Sequence, residues 1–388
     1  MTSNWLLAGA LVALMGATGL SQTGTLTPVA PRLLSETGLY AGEGTRVVDS
    51  RNRPFAPQYP LWSDGAGKRR WVRLPENSTI DINNLDRWDF PVGTRFWKEF
   101  AFDGHQVETR FLWKVSDGNW VFASYAWNAE QTDATLVPAA GLADAAEIAP
   151  GKRHSIPSVT ECRSCHDSSR TEILGFSALQ LSDDRDPNAL HAEALSPGVL
   201  TLRTLVDESL VSPKRTELKT SPPRIDARTP QERAALGYLS ANCGSCHNRE
   251  SSIASLGLLL KHEVRGGNPS WSAEARSADV AGVSESQCSP ALATTVDRKG
   301  HWAVPANPDE SRVINPGKPE LSSLIQRVRS RRPSTQMPPI GTVVQDRAAV
   351  DLLTAWVGSN PEEFWRAAAR CAAPTRERAS VAAPVAAR

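Results

Sequence analysis

Cys162, Cys165 and His166 stand in the stretch ECRSCH, and Cys243, Cys246 and His247 repeat the same Cys-x-x-Cys-His spacing in NCGSCH. Cysteine pairs of this spacing serve three chemistries: a zinc site, a redox disulfide, or covalent attachment of haem. A four-cysteine zinc site brings its two pairs within about 15 to 20 residues, and Cys165 and Cys243 lie much further apart. A thioredoxin-like pair needs a βαβ setting, which neither stretch has. The chain has only 7 histidines, and one directly after each pair favours haem. Two thioethers join the vinyl groups, and the histidine offers a ring nitrogen to the iron. The expected cofactors are therefore two covalently bound haem c groups, attached at Cys162, Cys165, Cys243 and Cys246, with His166 and His247 as proximal ligands.

The far side of the first iron is a separate question. The 3 methionines are Met1, Met15 and Met337, so none stands near the first motif. Its sixth position is open among His154, His191, His105, the less usual Lys98, or no side chain at all. His262 and His301 would have to ligate across an interface. Cys288 and Cys371 are left over from the two motifs; they either close a disulfide in an oxidising compartment or remain two separate thiols.

The elements that would position these groups differ along the chain. Residues 30–155 are expected to form an antiparallel β domain. RRWVRLP, RFWKEFAF, VETRFLWKV and NWVFASYAW are rich in aromatic and β-branched residues, and Asp103-Gly104 and Asp117-Gly118 sit at hairpin-turn positions. Most of the 12 tryptophans lie between Trp62 and Trp127, where they pack a core or line a pocket. Residues 156–211 would be a helical first haem segment packed on that domain, with helical spacing in ALHAEAL and VLTLRTLVDESLV. The proline-rich stretch 212–228 reads as a linker. Beyond it, Thr229, Pro230 and Glu232 predict a capped helix running into Cys243. A second helix begins near Asp346, and Asn360, Pro361 and Glu363 signal a third. Residues 372–388 read as a disordered tail.

Residues 1–21 carry an uncharged apolar run after the N-terminus and read as a secretory signal, which would make the mature protein periplasmic; an uncleaved anchor is the alternative, since no Lys or Arg precedes the run. No other window is long enough for a membrane span. Lys plus Arg number 43 against 42 for Asp plus Glu, a net charge of +1, which argues against a nucleic-acid partner. Arg327, Arg329, Arg331 and Arg332 would either steer an acidic redox partner or form a solvated helix face.

INPGKPELSSLIQRVRSRRPSTQMPPIG, together with the helices before Cys243 and after Asp346, resembles the class I cytochrome c family over residues 229–370, within an expected domain of residues 229–371. The resemblance implies an all-α domain, Met337 as sixth ligand opposite His247, and a potential suited to electron transfer. Residues 262–310 would be an insertion carrying Cys288, His301 and Trp302. FPVGTRFWKEFAF, with a meander ahead of the first motif, resembles the cytochrome c-prime-beta and hydroxylamine-oxidising cytochromes over residues 65–175. That likeness implies a haem packed on the sheet, a distal side open to small ligands, and Lys98 as the one candidate catalytic residue, through attachment to the porphyrin. The stretches PQYPLWSDGAGKRRW, FPVGTRFWKEF and VETRFLWKV also resemble a group of exported bacterial dihaem proteins.

The expected fold class is α+β and multidomain: an antiparallel sheet domain with a c-type haem segment, then an all-α class I cytochrome c domain. The expected function is electron transfer to a redox partner protein. An alternative is a haem enzyme whose open first haem reduces or oxidises peroxide, hydroxylamine or nitric oxide. A third reading makes the sheet a docking module for a dehydrogenase or carbohydrate.

Overall fold

The computed structural model describes residues 29–42, 44–169, 173–264, 289–360 and 365–366. The signal, the disulfide expected between Cys288 and Cys371, the third helix's start and the tail lie outside the described residues.

A six-stranded antiparallel sheet organises the chain, in the order β1 (Arg53–Pro54), β2 (Gly67–Arg73), β4 (Arg95–Phe102), β5 (His105–Ser116), β6 (Asn119–Trp127) and β7 (Ala134–Leu136). Two small pairs accompany it: β3 (Ile80–Asp81) with β10 (Val211–Ser212), and β8 (Leu142–Ala149) with β9 (Lys152–Ile156). The expected meander is present strand for strand. Asp103 and Gly104 have φ of 48° and 82°, the two left-handed positions that a tight hairpin of matching twist needs.

Alternation gives this sheet two different faces. Trp71, Trp97, Phe111 and Ala123 stand opposite one another in register and are buried under Leu34, Leu39 and Tyr40. The Trp97 indole donates to Thr37 Oγ1 at 2.9 Å, which ties the N-terminal segment down. On the other face Val72, Phe96, Leu112 and Phe122 form the matching row, packed with Phe90 and Phe176 in edge-to-face contacts of 5.1 to 5.8 Å. These tryptophans therefore serve as core.

The expected all-α class I cytochrome c domain is not there. The structure is mostly antiparallel sheet with few short helices, 23% in all. Helices α1 (Val159–His166), α2 (Leu202–Asp207) and α3 (Glu217–Thr220) come first; after residue 229 the described helices are α4 (Pro230–Asn242), then Pro290–Thr295, Ser323–Arg329 and Arg347–Ser359. Long irregular stretches separate them, because prolines recur from Pro305 to Pro339 and each removes an amide donor and constrains the residue before it. Nor does this half close a core of its own: Leu239, Leu353 and Trp356 belong to the same buried cluster as Phe55, Phe96 and Phe176. The stretch ALHAEAL also departs from expectation. It is turn, with His191 at φ 59°, a backbone state that ends a helix.

Helix α4 starts as its sequence predicts, with Thr229 Oγ1 accepting from Glu232 N at 3.0 Å. The Glu232 carboxylate, however, accepts from Arg228 N at 2.8 Å instead of completing a capping box. Its inner face meets the segment 55–64. A Cβ placed on Gly237 would lie 2.0 Å from the Tyr59 ring. The same segment holds the last helix in place: Asp64 Oδ1 accepts from Val343 N and Val344 N at 2.9 and 2.8 Å. Ahead of α4, residues 212–228 take in the end of β10 and a short helix, Glu217–Thr220, and bury Leu218 and Ile225.

Gly237→Ala forces the Tyr59 ring, itself bonded to Asp186 at 3.1 Å, out of its seat. Overpacking of this kind costs about 1 to 3 kcal/mol; urea unfolding should show that loss, and an unchanged midpoint would refute the contact.

Candidate functional site

The second motif follows directly from α4. Cys243 is the residue on which the helix ends, and the turn after it is closed by His247 N donating to Cys243 O at 2.8 Å and Cys246 N at 3.1 Å. A side chain at Gly244 would meet Ser240 O at 2.4 Å and Lys261 Cα at 2.7 Å, so the returning strand of chain requires glycine inside the motif. Leu260 N then donates to His247 O at 2.8 Å, which holds that returning chain against the imidazole.

Cys243, Cys246 and His247 line a cavity of about 450 Å³, and Met337 lines the same cavity. Its other walls are largely apolar, including Leu260, Val313 and Leu324. Arg327 fastens the loop that carries Met337 at two points: Met337 N donates to Arg327 O at 3.0 Å, and Arg327 Nε donates to Thr335 O at 3.1 Å. Arg327 also lies 6.0 Å from the Trp302 ring centroid. Within the described residues of the expected insertion, His301 and Trp302 border this cavity as well. Arg329 and Arg332 are the exposed members of the arginine run.

The residues here fit a covalently attached haem. His247 is buried with its Nδ1 unpartnered, and burial with the nearby Arg327 charge holds its pKa below the usual value; a neutral imidazole is the form that ligates a metal. Burial pushes the Cys243 thiol up to about 12, a setting that tolerates a neutral thioether and penalises a thiolate. The volume falls within the range of cofactor sites. Among the described residues, no group of three or more His, Cys, Asp or Glu side chains converges as a set of ion ligands.

The first motif lies on α1 (Val159–His166), which opens with a reciprocal cap: Ser158 Oγ accepts from Glu161 N at 3.1 Å, and Glu161 accepts from Ser158 N at 2.8 Å. Cys162 borders a smaller cavity of about 270 Å³ with Phe122, Val137 and Val159. The His166 ring sits 5.2 Å from that of Phe122. Burial raises the Cys162 pKa. The donor set is the same as at the second motif.

The two motifs meet. The Cys165 and Cys246 thiols share a hydrogen bond, which raises the pKa of the first and lowers that of the second. Distance along the chain gave no sign of this contact; it arises because α4 and α1 pack on one core.

None of the candidates His191, His154, His105 and Lys98 lines either cavity. His191 Nε2 bonds Asp346 Oδ2 at 2.9 Å and its ring lies 4.8 Å from that of Trp62. His154 is buried, with Nε2 3.5 Å from the Glu108 carboxylate. His105 is exposed, its Nδ1 3.2 Å from Asp103 O. Lys98 is half-buried over the Phe100 ring at 4.7 Å.

Comparison with known proteins finds no family model, no curated protein and no solved structure that matches this chain. Among the described residues no helix is long and apolar enough to cross a membrane.

The chain leading away from Leu260 is held by Asp86, whose carboxylate accepts from Val264 N at 2.9 and 3.1 Å. Burial raises the Asp86 pKa to about 7. Because the folded state then holds a proton that the unfolded chain releases, stability should fall as pH rises from about 4 to about 7 and level off above. Asp86→Asn should remove that slope in urea titrations at pH 4.5 and 8; an identical slope in both proteins would sink the assignment.

Proposed function

We propose that this protein is a dihaem c-type cytochrome that carries electrons. The observation that supports it most directly is that Cys243, Cys246, His247 and Met337 line one cavity. In this reading Cys162 and Cys165 hold one haem with His166 as ligand, and Cys243 and Cys246 hold the other between His247 and Met337. A haem iron, when bound, takes up and releases one electron between its ferric and ferrous states.

The chain's own residues then have distinct tasks. Arg327 keeps the Met337 loop against the cavity, and the apolar walls exclude water, conditions that favour the reduced iron with a thioether ligand. The contact between Cys165 and Cys246 brings together the two pairs of cysteines that would hold the groups, an arrangement that would favour exchange of electrons between them. Arg329 and Arg332 offer an exposed positive surface to an acidic partner. Export to the periplasm, expected from residues 1–21, belongs to the same reading.

A haem enzyme is the second reading, and one observation favours it: none of His154, His191, His105 and Lys98 lines the cavity beside Cys162, which would leave the sixth position of the first iron open. A small molecule could then bind there, with the second haem as electron relay.

Denatured protein assayed in alkaline pyridine should contain two haems per chain, and one in the Cys162→Ser, Cys165→Ser double variant. Met337→Ala should abolish the methionine-to-iron charge-transfer band while leaving the haem count at two. Carbon monoxide added to reduced protein separates the readings: an unshifted Soret band supports the carrier, and a shift of about half the band supports the enzyme. A haem count of zero would refute both.

A further inference from the structure

On the face of the sheet toward the first motif, polar residues continue where the aromatic row stops. Arg70, Lys98, Arg110 and Ser124 stand opposite one another across β2, β4, β5 and β6, and the next row holds Lys68, Phe100, Glu108 and Ala126. Adjacent strands lie about 4.8 Å apart, so four cationic side chains are crowded into two neighbouring rows. The Phe100 ring lies between two of them, 4.7 Å from Lys98 Nζ and 4.4 Å from Arg110 Cζ.

The acidic groups present do not satisfy this cluster. Arg110 pairs with Glu108 at 2.5 Å, and Arg70 Nη1 pairs with Glu193 at 2.5 Å. Asp346 acts on Lys68 from further away and is bonded to His191. Neither Lys68 nor Lys98 has a carboxylate within ion-pair distance among the described residues. Arg70 is 5% exposed, and its Nη2 is buried with no hydrogen-bond acceptor. A buried guanidinium with an unused donor is destabilising, a cost that a bound acceptor offsets. Burial and the neighbouring cations lower the Lys98 pKa well below the usual lysine range and bring Lys68 to about 8, as expected where positive charges outnumber their partners. Arg110 stands within electrostatic reach of Cys162 and Cys165, which joins the cluster to the first motif.

We propose that Lys68, Arg70, Lys98 and Arg110 form a binding site for a carboxylate or similar small oxyanion, with Arg70 Nη2 and the Lys98 amine as its donors. Two sources supply that chemistry: a free anion from solution, or the propionate carboxylates of a haem held at Cys162 and Cys165. The second source rests on the dihaem reading; the first does not.

Acetate titrated calorimetrically into the electrochemically reduced holoprotein tests the free anion, with haem counted independently in pyridine. Saturable binding that weakens at least tenfold in Arg70→Gln and in Lys98→Met, and tightens in Glu193→Gln, supports the site with a free anion as occupant. No acetate uptake by the wild type, together with a propionate bending band in resonance Raman spectra that shifts in Lys98→Met and Arg70→Gln, supports it with haem as the source. Lys98→Met makes the test secure if Arg70→Gln fails to fold, because Lys98 is in no ion pair among the described residues. Acetate affinity and propionate band both unchanged in Lys98→Met would overturn the proposal, whatever the haem count.

Discussion

The structure depends on how the segment from Phe55 to Asp64 is gripped from three sides. Its Tyr59 ring fills the space left by Gly237 on α4, the Trp62 amide donates to Asn242 Oδ1 at 2.7 Å, and Asp64 accepts from the amides just ahead of the last helix. The segment's own Phe55 packs edge to face on Phe176 at 4.8 Å, within the aromatic core of the sheet. One short, proline-punctuated stretch thereby joins the sheet to both long helices. Because α4 ends at Cys243, the position of the second motif is set by this joint, and so is its contact with the first.

That constraint explains why the two motifs differ in environment despite equal spacing. The second is carried by a helix whose inner face is buried almost throughout, and it opens onto an apolar cavity bounded by chain from after residue 256. The first is carried by a short helix with no buried residue, set beside a sheet whose nearby rows change from aromatic to cationic. Burial shifts the titrating groups at both sites, and beside the first the neighbouring cations add to it.

Much of the sheet was legible in residue order. RFWKEFAF and NWVFASYAW coincide with β4 and β6, since strand alternation and hairpin turns are local properties of a few neighbouring residues. The capped start of α4 was legible for the same reason. The all-α second domain was not correct: Met337, its prolines and two capped helices also occur in a chain whose helices pack on a shared core, and local pattern does not report which surface a helix covers. The helix expected at ALHAEAL failed where His191 adopts a left-handed turn to reach Asp346, a partner far away in sequence.

By itself the sequence determined the chemistry on offer: two cysteine pairs each followed by histidine, a single methionine beyond residue 15, and strands able to carry aromatic rows. Spacing and residue type are covalent facts, and they specify which bonds are available. Tertiary structure alone decided which of those groups share a space. It placed Met337 on the cavity of His247, brought Cys165 to Cys246, bonded His191 to Asp346, buried His154 beside Glu108, and lined up Arg70, Lys98 and Arg110 across three strands. Such neighbours are chosen by burial of the whole chain at once, a balance that no single stretch of residues records.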